Sequence, residues 1–232
     1  MLLALVLAAC APSPWRMPGP LHALGRGADE PVPEYLARRA GAAAPAATRT
    51  GGAPTATARR IAAAAEGFVG DARLMVAGEA YRYDCSGLVE ASLAKAGLAH
   101  SGSSAMLHDA ARDAGALHRR RLPAVGDVAF FDDTYDRDGN GALDDVLTHS
   151  AVVVGVATDG TVEMVHVGSN GVTRLTMNLR HPHDRSGPEG QVWNDYLRAK
   201  TRRDPLGTRY LAGELWVAFA SFWSAPAQVA TR

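Results

Sequence analysis

Asp84-Cys85-Ser86-Gly87-Leu88-Val89-Glu90-Ala91-Ser92-Leu93-Ala94-Lys95-Ala96-Gly97 reads as one helix with its start and its stop included. Asp84 is a good N-cap, Leu88, Val89, Leu93 and Ala96 supply an apolar stripe, and Gly97 ends it. Cys85 therefore falls in the first turn. Backbone N–H groups without a helical partner and the positive end of the helix dipole lie beside it, and both stabilise negative charge on sulfur. Downstream, His149 opens Ser150-Ala151-Val152-Val153-Val154-Gly155-Val156, which reads as a buried strand. A helix-borne thiol facing a strand-borne imidazole is the working pair of a cysteine hydrolase. A lone cysteine on an apolar helix face is more often inert packing. The place at the helix start, between small polar neighbours, separates this one from that case.

Working outward, a first helix is expected from about Ala58 through Ile61 to Val69. A third is expected from Ser104 to Ala114, capped by Ser103 or Ser104. After Pro123 the pattern turns to strands at 127–131, 149–157, 162–167 and 172–177, with Asp159-Gly160 as a hairpin turn and 215–220 as a final core strand. Helices first and an antiparallel sheet second is an α+β order. Ala151 and Val153 share the face of His149, and Met164 shares that of His166, so neighbouring strands can bring the two histidines together. Residues 58–223 are enough chain for one buried core, with 224–232 as a tail.

Four stretches, taken in order, resemble the successive motifs of the NlpC-type cell-wall cysteine peptidases. They are Asp84-Cys85-Ser86-Gly87-Leu88-Val89; Pro123-Ala124-Val125-Gly126-Asp127-Val128-Ala129-Phe130-Phe131; His149-Ser150-Ala151-Val152-Val153-Val154-Gly155; and Val165-His166-Val167-Gly168-Ser169-Asn170-Gly171-Val172. The resemblance covers roughly residues 58–180. It implies a papain-like fold and hydrolysis of amide bonds in peptidoglycan stem peptides, usually the bond from the γ-carboxyl of D-glutamate to the diamino acid. It implies Cys85 as nucleophile, His149 as general base and His166 as the group that orients the base. The Cys85 N–H would serve the oxyanion, while Asp84, Ser86 and, loosely, Tyr83 or else Tyr81 match positions that hold the substrate. The family's glycine-rich loop is missing, because Tyr81-Arg82-Tyr83 runs straight into Asp84. Another amidase of the same fold, or a non-catalytic module that binds cell wall or a partner, are the alternatives.

The two ends and the charge set the context. The chain of 232 residues balances 24 basic against 24 acidic side chains, which gives no reason to expect nucleic acid. A monomer is expected. Met1-Leu2-Leu3-Ala4-Leu5-Val6-Leu7-Ala8-Ala9-Cys10 is an apolar run whose ending matches a bacterial lipobox. On that reading residues 1–10 are a lipoprotein signal, Cys10 carries lipid, and the protein is exported to the cell envelope, the outer membrane or periplasm being favoured. The alternative is an ordinary apolar start with a chance cysteine. Residues 11–57, rich in Ala, Pro and Gly, read as a disordered tether, with a short helix around Pro33 to Arg39. The two cysteines are then one for lipid and one for chemistry.

Inserted at 132–147 is a second pattern, Asp136-Arg137-Asp138-Gly139-Asn140-Gly141-Ala142-Leu143-Asp144-Asp145. Oxygen ligands at alternate positions and a glycine in sixth place follow the grammar of a calcium loop. The expected ligands are Asp136, Asp138, Asn140 and the carbonyl of Ala142, with Asp144 or Asp145 completing the shell and Asp132 and Asp133 adding oxygens from the other side. Leu147 stands where an EF-hand has its bidentate glutamate, and the flanks are strand-like, so this is not an EF-hand. Calcium is a structural ion on this reading, and catalysis needs no cofactor. His181-Pro182-His183-Asp184 reads as a surface loop. His22, His100, His108 and His118 carry no signal.

Overall fold

The computed structural model describes residues 54–224. The expected lipidation site Cys10, the tether to residue 53 and the tail from 225 lie outside them. Three helices come first. Helix α1 (Ala56–Glu66) begins two residues earlier than expected, because Thr55 serves as its cap and accepts the Ala58 N–H at 3.1 Å. Helix α2 (Cys85–Lys95) starts as its sequence dictates, with the Asp84 carboxylate accepting the Gly87 N–H at 2.7 Å. Helix α3 (Ser104–Asp113) is capped by Ser103. Between α1 and α2 lies a hairpin that the pattern did not reveal, β1 (Leu74–Val76) and β2 (Glu79–Tyr81). Its turn residues, Ala77 and Gly78, both have positive φ, the geometry of a two-residue hairpin turn. Ala-Gly is a weaker signal for that turn than Asn-Gly, which is why the pattern missed it.

The remaining strands form one antiparallel sheet. They are β3 (Leu117–His118), β4 (Val128–Phe131), β5 (His149–Val156), β6 (Thr161–Gly168), β7 (Gly171–Asn178) and β8 (Trp216–Ala220). Their order is β3-β8-β4-β5-β6-β7, so the last strand of the chain inserts between β3 and β4. The architecture is α+β. One face of the sheet packs Val128, Phe130, Val152 and Val165 against Ile61, Leu88, Leu93 and Leu107 of the helices. Burying each of these large side chains is worth about 1.5–3 kcal/mol. The other face is also dry, with Phe131, Ala151, Val153, Met164, Leu175 and Phe219 packed under Leu179, Ala212 and Leu215.

That second layer was not expected. Residues 179–211 contain no strand or helix beyond isolated bridges, and a short helix α4 (Ala212–Leu215) follows them. Polar anchors replace regular structure. The fully buried Asn194 accepts the Asn178 N–H at 2.9 Å and donates to the carbonyls of His181 and Asp184, both at 2.8 Å. His181 stacks on Trp193 with ring centroids 3.8 Å apart. Among the described residues no helix is long and apolar enough to cross a membrane.

His118 and His108 correct the expectation that these histidines carry no signal. His108 is buried on α3 and meets the Phe130 ring edge-on. His118 Nε2 lies 3.0 Å from Asp127 Oδ2, and Asp127 is wholly buried. That carboxylate also accepts from the Ala124 N–H at 2.8 Å, Ser221 Oγ at 2.7 Å and Trp223 Nε1 at 2.9 Å. It thereby joins the entry of β4 to β3 and to the short helix Phe222–Ser224 at the end of the described chain. Asp127→Ala should destabilise the protein by about 3–5 kcal/mol, since it strands several buried donors at once. Urea denaturation of the two proteins checks this, and Asp127→Asn, which keeps an acceptor, should lose less.

Candidate active site

Cys85 is the first residue of α2 and is half-buried. The chain enters that helix under tight constraint: a Cβ at Gly87 would stand 1.9 Å from the Arg82 carbonyl oxygen. Arg82 then folds back over the first turns. Its Nη2 donates to Ser86 Oγ at 3.2 Å, Glu90 Oε1 at 2.5 Å and the Gly102 carbonyl at 2.7 Å. The arginine ties α2 to the approach to α3, and the sequence reading passed over it. Arg82 sits where the family resemblance called for a glycine-rich loop.

Of the three residues matched to substrate binding, all have partners within the protein. Asp84 Oδ1 caps α2 and also accepts from Ser86 Oγ at 2.9 Å, while Oδ2 lies 3.6 Å from Arg82. The Asp84 side chain keeps 48% of its surface exposed, so it remains open to solvent. Ser86 is buried. Tyr83 is exposed and donates its hydroxyl to the Asp71 carbonyl at 2.6 Å, above Gly171 in the β6–β7 turn.

Strand alternation divides the residues at the start of β5 between its two faces. His149 pairs with Phe131 and lies with Ala151 and Val153, whereas Ser150 pairs with Phe130 and turns toward the helices. His149 Nε2 meets His166 Nδ1 at 2.9 Å, with the rings nearly perpendicular. The two histidines therefore come together across β5 and β6. One nitrogen of the pair must donate, and a proton on His149 Nε2 leaves its Nδ1 with a free lone pair. Among the described residues that Nδ1 has no hydrogen-bond partner.

The sulfur finds a different neighbour. Cys85 Sγ lies 3.6 Å from Ser104 Oγ at the start of α3, and Ser104 Oγ is hydrogen-bonded to Ser150 Oγ at 3.1 Å. Thiol and imidazole are not hydrogen-bonded; they meet at adjacent residues, Ser150 and His149, at one end of β5. Neither serine was singled out from the sequence. Only the side-by-side placement of α2, α3 and β5 reveals them.

Both imidazoles are neutral at pH 7. Burial lowers His149 from the ordinary 6.5 to about 4. His166 falls to about 3, first through burial and then through the nearby His149, against the opposing charge of Asp195. Both rings therefore keep a lone pair free, although burial makes them weaker bases than an exposed imidazole.

The inserted loop brings Asp136, Asp138 and Asp145 together, one carboxylate oxygen from each lying within 4.8 Å of the others. Other expected ligands are turned to different tasks. Asn140 donates to Asp138 at 2.9 Å and to Asp144 at 3.4 Å and accepts the Ala142 N–H at 2.6 Å, so Asp144 stands outside the cluster. Asp132 and Asp133, placed on the far side of the ion from sequence, instead accept the backbone N–H groups of Leu147 and Asp145 and hold the base of the loop. Arg137 bonds Asp145 through its backbone N–H at 2.9 Å.

No protein-family model matches this chain, and no curated protein matches it.

The neutral histidine pair sets a pH test. The unfolded chain binds protons on these two rings below pH 6.5, and the folded protein refuses them until about 4 at His149 and about 3 at His166. Stability is therefore fully present above pH 6.5 and declines as pH falls toward 4. The melting temperature should drop across that window, and His166→Gln should flatten the drop.

Proposed function

We propose that this protein is a cysteine peptidase that hydrolyses amide bonds in peptidoglycan stem peptides, the γ-D-glutamyl–diamino acid bond first among them. The observation that carries the reading is the hydrogen bond between His149 Nε2 and His166 Nδ1, because it leaves Nδ1 of His149 free as a base one residue from Ser150, which the Ser104 hydroxyl links to the Cys85 sulfur. The substrate class rests on the resemblance to the NlpC-type peptidases. So does the papain-like character of the fold.

The chemistry follows from the groups at hand. In this mechanism the thiol proton passes across the start of β5 to Nδ1 of His149, since the two groups lie on different faces of the strand, and the sulfur attacks the carbonyl carbon of the scissile amide. The oxyanion that forms is met by the Cys85 N–H, one of the unpaired N–H groups of the first turn of α2. His149 then returns the proton to the leaving amine, and a thioester remains on Cys85 until water, activated by the same imidazole, hydrolyses it. His166 keeps the tautomer. Asp84, with Oδ1 committed to the cap and Oδ2 beside Arg82 on a half-exposed side chain, would receive a free amino group of the stem peptide.

On this reading Cys10 carries a lipid that anchors the enzyme in the cell envelope, and calcium binds the Asp136–Asp138–Asp145 cluster as a structural ion. Three carboxylates held so close repel one another, and a divalent cation relieves that repulsion. Calcium should raise the melting temperature, and Asp138→Asn should remove most of the increase; a melting temperature indifferent to calcium and chelator refutes the ion. For the enzyme, mass spectrometry of defined muropeptides should show fragments cut at the diamino acid with the native protein and none with Cys85→Ser. Hydrolysis of a different amide would make it an amidase of another specificity. Cleavage by neither protein, with an unreactive Cys85, would favour a binding module.

A further inference from the structure

Cys85, Ser104 and Ser150 belong to three separate elements, the first residue of α2, the first of α3 and the second of β5. Their side chains form a line, Sγ to Oγ at 3.6 Å and Oγ to Oγ at 3.1 Å. Ser104 is 5% exposed and Ser150 is fully buried, so the hydroxyls must satisfy one another. A serine hydroxyl has one proton to give and lone pairs to accept with. The line admits two arrangements of protons. If the thiol donates to Ser104 and Ser104 to Ser150, the Ser150 proton has no acceptor among the described residues. If Ser150 donates to Ser104 and Ser104 to the sulfur, each hydroxyl proton has an acceptor, and the sulfur accepts with or without its own proton, most strongly as the thiolate. An unsatisfied buried donor is costly, so the line favours the second arrangement.

We propose that Ser104 and Ser150 form a two-hydroxyl relay that stabilises negative charge on the Cys85 sulfur, which makes Ser104 a positioning residue of the site. The proposal rests on the reading of Cys85 as nucleophile. When the S–H bond breaks, its proton goes to Nδ1 of His149. Both hydroxyls rotate and each keeps its own proton. Residues 149 and 150 thus divide the work, with the base on one face of β5 and the relay on the other. The charged and titratable groups around the thiol are Arg82 and Asp84 before it, Glu90 along α2, His108 on α3, and His149 with His166 on the sheet.

The test reads the thiol without any substrate. The full chain with Cys10→Ser carries one cysteine, and its alkylation by iodoacetamide is followed across pH. Ser104→Ala should slow the reaction at pH 7 about tenfold or more, the loss expected for one hydrogen bond to a charged atom. It should also move the midpoint of the rate profile to higher pH, and Ser104→Thr, which keeps a hydroxyl, should restore both. Ser150→Ala should act in the same direction, and it carries the test if Ser104→Ala does not fold. A Ser104→Ala profile that superimposes on the parent overturns the relay, as does a folded Ser104→Thr no faster than Ser104→Ala. Muropeptide hydrolysis is scored separately. If it is absent while alkylation still depends on Ser104, the relay stands and the peptidase reading falls.

Discussion

Strand β5 is buried on both faces, so its neighbouring residues must serve opposite layers, and the site depends on which residue serves which. Its register is fixed beyond the ladder itself. The Gly126 N–H donates to the Val153 carbonyl and the Val153 N–H to the Asp127 carbonyl, both at 2.8 Å. Gly126 is held close under α1, where a Cβ would meet the Ala58 carbonyl oxygen at 2.3 Å. A slip of one residue would send Ser150 to the histidine side and His149 among the helices. The buried Asp127 carboxylate sits at this corner, joining β3, β4 and the end of the described chain.

The two layers then have different duties. The helical layer delivers the thiol, and it does so by close backbone packing: Gly87 against Arg82, and Arg82 across to Gly102. The opposite layer keeps the histidine pair dry. Its cover is the irregular segment 179–211, pinned through Asn194 and Asp195 to the edge strand β7. Arg198, itself buried, donates to the Asp133 carbonyl at 2.5 Å and so fastens the same segment to the base of the acidic loop. That loop ends at the strand that carries His149. Loop, cover and imidazole are consequently one connected piece of structure, joined by these polar contacts over an apolar layer.

Much of this could be read from the residues. The caps of α2 and α3 and the glycine stop were visible because they are local chemistry, and the strands from β4 to β8 because their apolar runs are long. The face shared by the two histidines followed from period-two alternation. What escaped was non-local. The hairpin β1–β2 has too weak a turn signal, the 179–211 segment has no periodicity, and Asp132 and Asp133 look like ligands but spend their oxygens on backbone N–H groups. His118 and His108 carried no signal because their partners, Asp127 and Phe130, are brought to them only by the fold.

The sequence by itself determined where α2 and α3 start, that an antiparallel sheet follows, and which thiol and imidazoles are the candidates for chemistry. These depend on neighbours within a few positions along the chain, where hydrogen-bond caps and side-chain periods act. Tertiary structure decided that β8 enters the middle of the sheet, that Asp145 and not Asp144 joins the acidic cluster, and that Ser104 and Ser150 lie between thiol and strand. Those contacts bridge residues 19 and 46 positions apart for the two serine bonds. Only packing of separate elements around one core sets such distances.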